Sequence, residues 1–547
     1  MLVYGALGGP LPEVGIVAAA ALAAVVMLHP DMRVQALAML GALVLAPVLL
    51  LADIWHSPQL NIVHRHPLAA AVGGVIALVA VVGAGLLIVR WPEVLAGAVI
   101  VALPFRIPIE AGGVTSNLLV PLYFVVAAGS VAFIVTGLRG RSPPGAGGGA
   151  GSAAHPVGDG ARRGGDPANP AGDGATPAAD SRLPARHGPA RWLERLLAGY
   201  VVLYALQAAY SPKLTTALQQ VVFFYVPFAL AYCLLRRLDW TQRLTRICLA
   251  LVAGLAVVFA LVGFVEYETK TIFLNPKLIA ANQVHAYFTV NSVFFDPNIF
   301  GRFLALVMIL LGAVVLYGRR QRTLLIALGV LAILWVALVL TLSRSSIGAL
   351  LVGLGTLAAL RWRVGRAVFV AAGVVALAAA VIAITPTTFG LNQGLNGASS
   401  GRPGLVSGGI DLFGARPLWG YGSGSFETEF SARHHQIGQT LSASHTIPIT
   451  IAAEQGLIGE LVYIALVLAA LVVLLQRCRG EPARVAVAAA FIALLFHTLL
   501  YADFLEDPIT WTLLAIGTAL AVRPPRDSVR AEAERVARDR ELQQQIA

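Results

Sequence analysis

Long apolar runs constrain this chain more than any other feature of its sequence. Runs of about 20 apolar residues, the length a helix needs to cross a bilayer, recur from residue 12 to residue 522. Hydrophobic residues make up 58% of the 547 residues and charged residues only 12%, whereas charged residues are about 25% of a soluble domain. Backbone polar groups must be satisfied internally within lipid, so such runs form helices. The sequence therefore predicts an all-α polytopic membrane protein.

The apolar runs predict about 13–15 transmembrane helices in two groups. Five spans fall within residues 1–138, and the first of them is expected to be retained rather than cleaved as a signal peptide. Residues 139–193 are rich in Gly, Ala, Pro and Asp without an apolar period, which predicts a disordered linker. The other spans fall within a core at 194–522, followed by a charged tail at 523–547. The predicted spans are 12–29, 34–53, 67–89, 93–105, 117–138, 194–210, 216–235, 244–266, 296–318, 322–341, 344–360, 366–385, 447–476, 482–501 and 508–522.

Arginine accounts for most of the net charge of +11 and predicts the orientation of the chain. The arginines cluster in short turns between spans, which is the pattern of cytoplasmic loops rather than of a nucleic-acid-binding surface. Alternate threading places the linker, the turns near 236–243 and 477–484, and the tail on the cytoplasmic side. The loop 386–446 and the acidic turn 502–508 then face outward.

The outward loop 386–446 ends at a candidate catalytic residue, His445. Pro448 suits the first turn of a helix, so an apolar helix is expected to begin next to this histidine. A helix N-terminus disfavours a positive charge nearby, which would keep the imidazole neutral and able to accept a proton. The alternative is that His445 serves only as a polar cap residue.

Four arginines are predicted on the outer side, where the positive-inside rule does not explain them: Arg302, Arg344, Arg402 and Arg416. The fork of donors in a guanidinium suits phosphate oxygens, so these residues are candidate binders of a phosphorylated ligand with an apolar tail. The alternative is snorkelling or pairing, for example of Arg302 with Asp296.

Further residues are predicted to support the site. Glu454 follows His445 by nine residues and therefore points to the opposite face of a regular helix, so it is expected to brace the loop or an arginine. Gly456 and Gly459 are expected to allow close helix packing.

No set of metal ligands is predicted. His64 with His66, and His434 with His435, lack a carboxylate or a cysteine that would complete a set. Glu506 with Asp507 is a weaker candidate for a divalent cation site.

Four motifs in residues 194–522 resemble those of the O-antigen ligase and O-antigen polymerase superfamily of bacterial envelope glycosyltransferases. They are DPNIFGRFL at 296–304, which contains Asn298, SRSSIGAL at 343–350, GR at 401–402 followed by ARPLWGYGSGSF, and SHTIPITIAAEQGLIGE at 444–460. The chain departs from the family pattern at Thr446, Pro403 and Gly404. The first five spans carry no such motif.

The resemblance implies an inverting glycosyltransferase of GT-C-like fold that needs neither a metal nor a cofactor. It would move a glycan from a polyprenyl diphosphate carrier to a glycan, lipid or protein acceptor at the outer face of the bacterial inner membrane. Cations would hold the leaving diphosphate while His445 deprotonates the acceptor hydroxyl. Two alternatives remain open: a flippase or transporter of the same lipid-linked glycan, and a metal-dependent transferase built on Glu506 and Asp507.

Overall fold

A computed structural model describes most of the predicted membrane spans. It covers residues 11–55, 60–111, 114–139, 188–273, 279, 282, 288–362, 365, 402–434, 446–501 and 503–522. Several predicted features lie outside the described residues: most of the linker 139–193, the span 366–385, His435, His445 and the tail 523–547.

The described residues between 11 and 139 form six helices and one short hairpin. The helices are α1 (Leu11–Leu28), α2 (Met32–Ile54), α3 (Asn61–Arg65), α4 (Pro67–Arg90), α5 (Glu93–Ala102) and α6 (Val120–Leu138). Between α5 and α6, strand β1 (Ile107–Ala111) pairs antiparallel with strand β2 (Val114–Leu118), with Ile107 opposite Leu118.

Twelve further helices follow in the described part of the core and complete the all-α fold. They are α7 (Pro189–Ala208), α8 (Leu214–Gln220), α9 (Val226–Arg236), α10 (Gln242–Thr269), α11 (Pro297–Tyr317), α12 (Gln321–Leu340), α13 (Arg344–Arg361), α14 (Arg402–Ala415), α15 (Phe426–His434), α16 (Ile447–Leu475), α17 (Pro482–Thr498) and α18 (Pro508–Val522). A π-helical turn, Val221–Tyr225, joins α8 to α9, so this pair forms one span.

Length and composition support the prediction of a multi-pass membrane protein. Among the described residues, nine helices are long and apolar enough to cross a membrane. Four more are apolar but shorter, namely Glu93–Ala102, Gly404–Ala415, Pro482–Thr498 and Pro508–Val522. Many large apolar side chains on α4 and α12, such as Ile76 at 63% and Ile326 at 68%, are exposed. Such surfaces suit contact with lipid rather than water.

The N-terminal helices pack directly against the core. Helix α1 packs on α7 and α9, α5 packs on α10, and α6 packs on α9. The side chains of Ile16 in α1, Leu197 in α7 and Phe228 in α9 are fully buried in one continuous apolar cluster. Arg237, just after α9, donates to Gln35 Oε1 of α2 over 2.6 Å. The N-terminal block and the core therefore share one hydrophobic interior.

Candidate functional site

The first part of the site is the junction between the starts of α11 and α13. Asn298, in the first turn of α11, accepts a hydrogen bond on Oδ1 from the Ser343 hydroxyl at 2.8 Å. Ser343 caps α13, because its side chain accepts from the backbone N–H of Ser346. A Cβ at Gly301 would lie only 2.7 Å from Ser346 Oγ, so the two helices pack too closely for any larger residue there. This contact joins two of the sequence motifs and places exposed Arg344 at the first position of α13.

His497 in α17 fixes the same junction from a third helix. Its side chain is fully buried, and its Nε2 lies 3.2 Å from the hydroxyls of both Ser345 and Ser346. The sequence analysis did not identify His497. The signal was a single ionisable ring within an apolar span, which is costly in a membrane and usually has a role.

The end of α17 links this junction to the start of α16. The Thr446 hydroxyl donates to the Leu499 carbonyl over 3.2 Å, two residues after His497. Thr446 is the N-cap of α16, and Pro448 lies in its first turn, so the helix begins where the sequence predicted. The start of α16 and the start of α13 therefore both lie against the end of α17.

Helix α14 lies beside the first part of α16 and runs in the same direction. Gly409 of α14 packs against Ile449, and beyond the end of α14 the Leu457 N–H donates to the Pro417 carbonyl over 2.7 Å. Because Arg402 is the first residue of α14, it lies toward the end of this pair where α16 begins.

Helix α16 is broken at Gly456. Its φ of 66° and ψ of −165° leave the helical region, in a conformation that essentially only glycine adopts. The break lets the backbone of Tyr421 and Gly422 donate to the carbonyls of Ala453 and Glu454, at 3.2 Å and 2.8 Å. The glycine-rich turn, residues 416–425 between α14 and α15, is thereby paired with the broken helix by backbone hydrogen bonds.

The role expected for Gly456 in α16 needs correction. A Cβ at Gly456 would collide with the Leu418 carbonyl, and a Cβ at Gly459 would collide with the Gln455 side chain. Gly456 therefore accommodates the helix break and the approach of the turn, whereas the close packing expected at Gly459 stays a prediction. The prediction assumed that α16 is a regular helix, whereas α16 breaks at Gly456 and its carbonyls there bind the turn.

Glu454 holds the far end of the glycine-rich turn. Its side chain is only 8% exposed, and its carboxylate accepts from the backbone N–H groups of Gly424 at 2.9 Å and Phe426 at 3.0 Å. Phe426 is the first residue of α15, and a negative charge is favoured at the start of a helix. The contact is the kind expected of a residue that braces the loop.

The surroundings of Arg302 differ from those predicted. Its guanidinium is buried, with 1% of the side chain exposed, and forms an ion pair with Asp507 at 2.9 Å, not with Asp296. Asp296 instead caps α11 by accepting from the Asn298 N–H. A buried guanidinium already neutralised by a carboxylate is not available to a ligand at the membrane surface. We therefore correct its role from substrate binding to joining α11 to the turn before α18.

The acidic turn before α18 is not arranged like a cation site. The Asp507 carboxylate is shared between Arg302 and the backbone N–H of Ile509, at 2.9 Å from each. Desolvation by burial and the neighbouring charge of Asp503 raise the pKa of the Glu506 carboxyl well above its ordinary value. Within the described ranges, no group of three or more His, Cys, Asp and Glu side chains could hold a metal ion.

Arg416 lies on the exposed side of the glycine-rich turn. Its guanidinium carbon is 4.4 Å from the centre of the Tyr421 ring, and Arg433 of α15 donates to the Tyr421 hydroxyl over 2.6 Å. Arg433 was not identified from the sequence, because α15 was read as part of an irregular loop. The two arginines and the tyrosine give this turn a cationic, partly aromatic face.

A comparison with known protein families matches the part of the chain that contains most of these residues. Residues 329–464 match the O-antigen ligase family. The match confirms the resemblance predicted from the sequence motifs. No curated protein matches the chain.

The O-antigen ligase match covers about a quarter of the chain. It contains most of the predicted site residues: Arg344, Arg402, Arg416, His445, Glu454, Gly456 and Gly459. Asn298, Arg302 and His497 lie outside it. In a multi-pass membrane protein, the match indicates an enzyme of the ligase or polymerase type that transfers glycans.

Proposed function

We propose that this protein is an inverting, metal-independent glycosyltransferase that takes a glycan from a polyprenyl diphosphate carrier. The acceptor would be a hydroxyl of a glycan, lipid or protein, and the site would face outward from the bacterial inner membrane. The observation that carries this proposal is the chain of contacts at the end of α17. His497 contacts Ser345, next to Arg344, while Leu499 accepts from Thr446, next to His445 in sequence.

Electrostatics support an anionic ligand at this end of the bundle. Helices α11, α13, α14 and α16 all begin toward this end, and each helix start carries partial positive charge. Arg344 and Arg402 add full positive charges at two of these starts. A diphosphate leaving group develops negative charge as its bond to the sugar breaks, so such an environment lowers the barrier to transfer.

The reaction needs one proton acceptor. In the proposed step, His445 takes the proton of the acceptor hydroxyl, the oxygen attacks the anomeric carbon, and the carbon–oxygen bond to the diphosphate breaks. The polyprenyl diphosphate leaves with the electron pair, and the configuration at the anomeric carbon inverts. Arg344 and Arg402 would hold the diphosphate, with Arg416 near the glycan. Arg302 is not included, because it is buried and paired.

The test is release of polyprenyl diphosphate from a lipid-linked donor by purified protein in detergent. His445→Ala is expected to slow release by about 10²- to 10⁴-fold, the usual contribution of a general base. Arg344→Ala is expected to cost about 10²- to 10³-fold, as for other groups that stabilise developing negative charge. His66→Ala and Arg320→Ala are matched controls that should leave the rate unchanged.

The same assay separates this proposal from the alternatives. A flippase would leave the donor intact in detergent, because it moves the lipid without breaking the bond. A transferase that depends on a metal at Glu506 and Asp507 would lose activity with a chelator. Full activity of His445→Ala would rule out the assigned base, and product formed from donor alone would indicate a polymerase rather than a ligase.

A further inference from the structure

A small cavity lies at the other end of the bundle from the candidate site. Its volume is about 270 Å³, and it is lined by Tyr317, Leu360, Arg361, Trp362, Arg479 and Gly480. Helices α11 and α13 end here, and the turn between α16 and α17 closes one side. This is the arginine-rich end, which the sequence predicts to be cytoplasmic.

The guanidinium groups of Arg361 and Arg479 line this cavity, and neither forms an ion pair with a carboxylate among the described residues. The ion pairs among the described residues are Arg236 with Glu194 and Arg302 with Asp507, and neither includes an arginine of the cavity. The nearest acid in sequence, Glu481, interacts with Arg484. The cavity therefore holds two positive charges that the described protein groups leave unbalanced.

Aromatic side chains complete the lining. The Arg361 guanidinium carbon lies 4.9 Å from the centre of the Tyr317 ring, which orients the guanidinium. The Tyr317 hydroxyl is buried and makes no hydrogen bond to any residue that the structure describes. Tyr and Trp rings favour the depth at which lipid headgroups meet hydrocarbon. A buried hydroxyl without a partner is costly, and a movement of the Tyr317 side chain that opened the hydroxyl to the cavity would let a ligand oxygen satisfy it.

We propose that this cavity binds the phosphate of an anionic membrane lipid. Arg361 and Arg479 would donate to the phosphate oxygens, and Tyr317 would add a hydroxyl hydrogen bond, while Trp362 packs against the glycerol region. Basic pockets between transmembrane helices on the cytoplasmic side are suited to such headgroups. This inference does not depend on the proposed function, because the cavity is at the opposite end of α11 and α13 from Asn298 and Arg344.

The test measures lipid binding to the full-length protein by native mass spectrometry and by thermal unfolding in detergent. The probes are phosphatidylglycerol, phosphatidylcholine and inorganic phosphate. We expect wild-type protein to prefer phosphatidylglycerol over phosphatidylcholine, and Arg361→Gln/Arg479→Gln to weaken phosphatidylglycerol binding by about tenfold or more. Arg320→Gln/Arg322→Gln removes two exposed charges from the same end of the bundle and should bind like wild type.

One further variant and two possible results also test the lipid proposal. Tyr317→Phe keeps the ring beneath Arg361 but removes the hydroxyl, so it should weaken phosphatidylglycerol binding severalfold even where the double variant fails to fold. Equal loss of binding in the cavity and control variants would show only general attraction to the surface and would overturn the proposal. Stabilisation by inorganic phosphate equal to that by phosphatidylglycerol would indicate a free anion and overturn the lipid assignment.

Discussion

Single residues in this protein take their roles from partners that are distant in sequence. Arg302 and Asp507 form an ion pair within an apolar bundle, and neither side chain is more than 3% exposed. Desolvating two charges is costly, but leaving one of them unpaired is worse. The pair therefore makes α11 and the turn before α18 depend on each other.

Removing one member of this pair should destabilise the protein strongly. We expect Arg302→Met to lower the free energy of unfolding by about 3–5 kcal/mol, because Asp507 is left buried without its partner. Arg302→Met/Asp507→Asn should recover most of this loss, since the asparagine oxygen can still accept from Ile509. Thermal unfolding in detergent measures both, with exposed Arg320→Met as control. A single variant that is fully stable but loses glycan transfer would instead assign Arg302 to the ligand.

The residue types, but not their partners, could be predicted from the sequence. An arginine inside an apolar span was recognisable as costly, yet the local choice of partner, Asp296, was wrong because the true partner follows α17. His497 was missed for a related reason. Its contacts to Ser345 and Ser346 exist only after α13 and α17 pack together, and no local pattern encodes that packing.

Whole helices were predicted far better than the interruptions within them. Helix α12 was expected at 322–341 and lies at Gln321–Leu340, and α16 was expected at 447–476 and lies at Ile447–Leu475. Hydropathy over about 20 residues determines such spans. The break at Gly456 was not predicted, because it depends on hydrogen bonds to the turn at 417–422 rather than on the local apolar pattern.

The break makes Gly456 a sensitive position in α16. We expect Gly456→Ala to lower the free energy of unfolding by at least about 1–3 kcal/mol, because a side chain is strained at this φ and ψ and would also meet the Leu418 carbonyl. Gly414→Ala in α14 is the matched control, since a Cβ there meets nothing within 4 Å. The control should be neutral or slightly stabilising. Thermal unfolding of the two variants in detergent makes the comparison, and equal stability would contradict the role of the break.

The whole molecule shares one interior although the sequence suggested two blocks. The division into residues 1–138 and 194–522 came from the composition of the linker, and it stays a prediction about folding units. Packing of α1 on α7 and α9 means that separating the blocks would expose apolar faces that are buried in the intact chain. The packing could not be inferred from the sequence, because lipid-facing and protein-facing apolar residues look alike.

Cutting the chain in the linker should leave the two blocks together. We expect protein cleaved at a protease site inserted near residue 165 to elute as one species in detergent. A chain of residues 189–547 expressed alone should be recovered poorly, because the faces of α7 and α9 lose their cover. Co-expression with residues 1–164 should restore recovery. Efficient recovery of the shorter chain by itself would indicate that the core folds independently.

The position of α17 limits how the matched segment can be transplanted. Residues 329–464 carry Arg344 and Thr446, but the hydrogen-bond partners at 497 and 499 that bring the starts of α13 and α16 together lie beyond that segment. A chimera that receives only the segment would obtain the residues proposed to react without the helix that aligns them. The exchangeable unit for engineering this protein is therefore longer than the segment that matches the O-antigen ligase family.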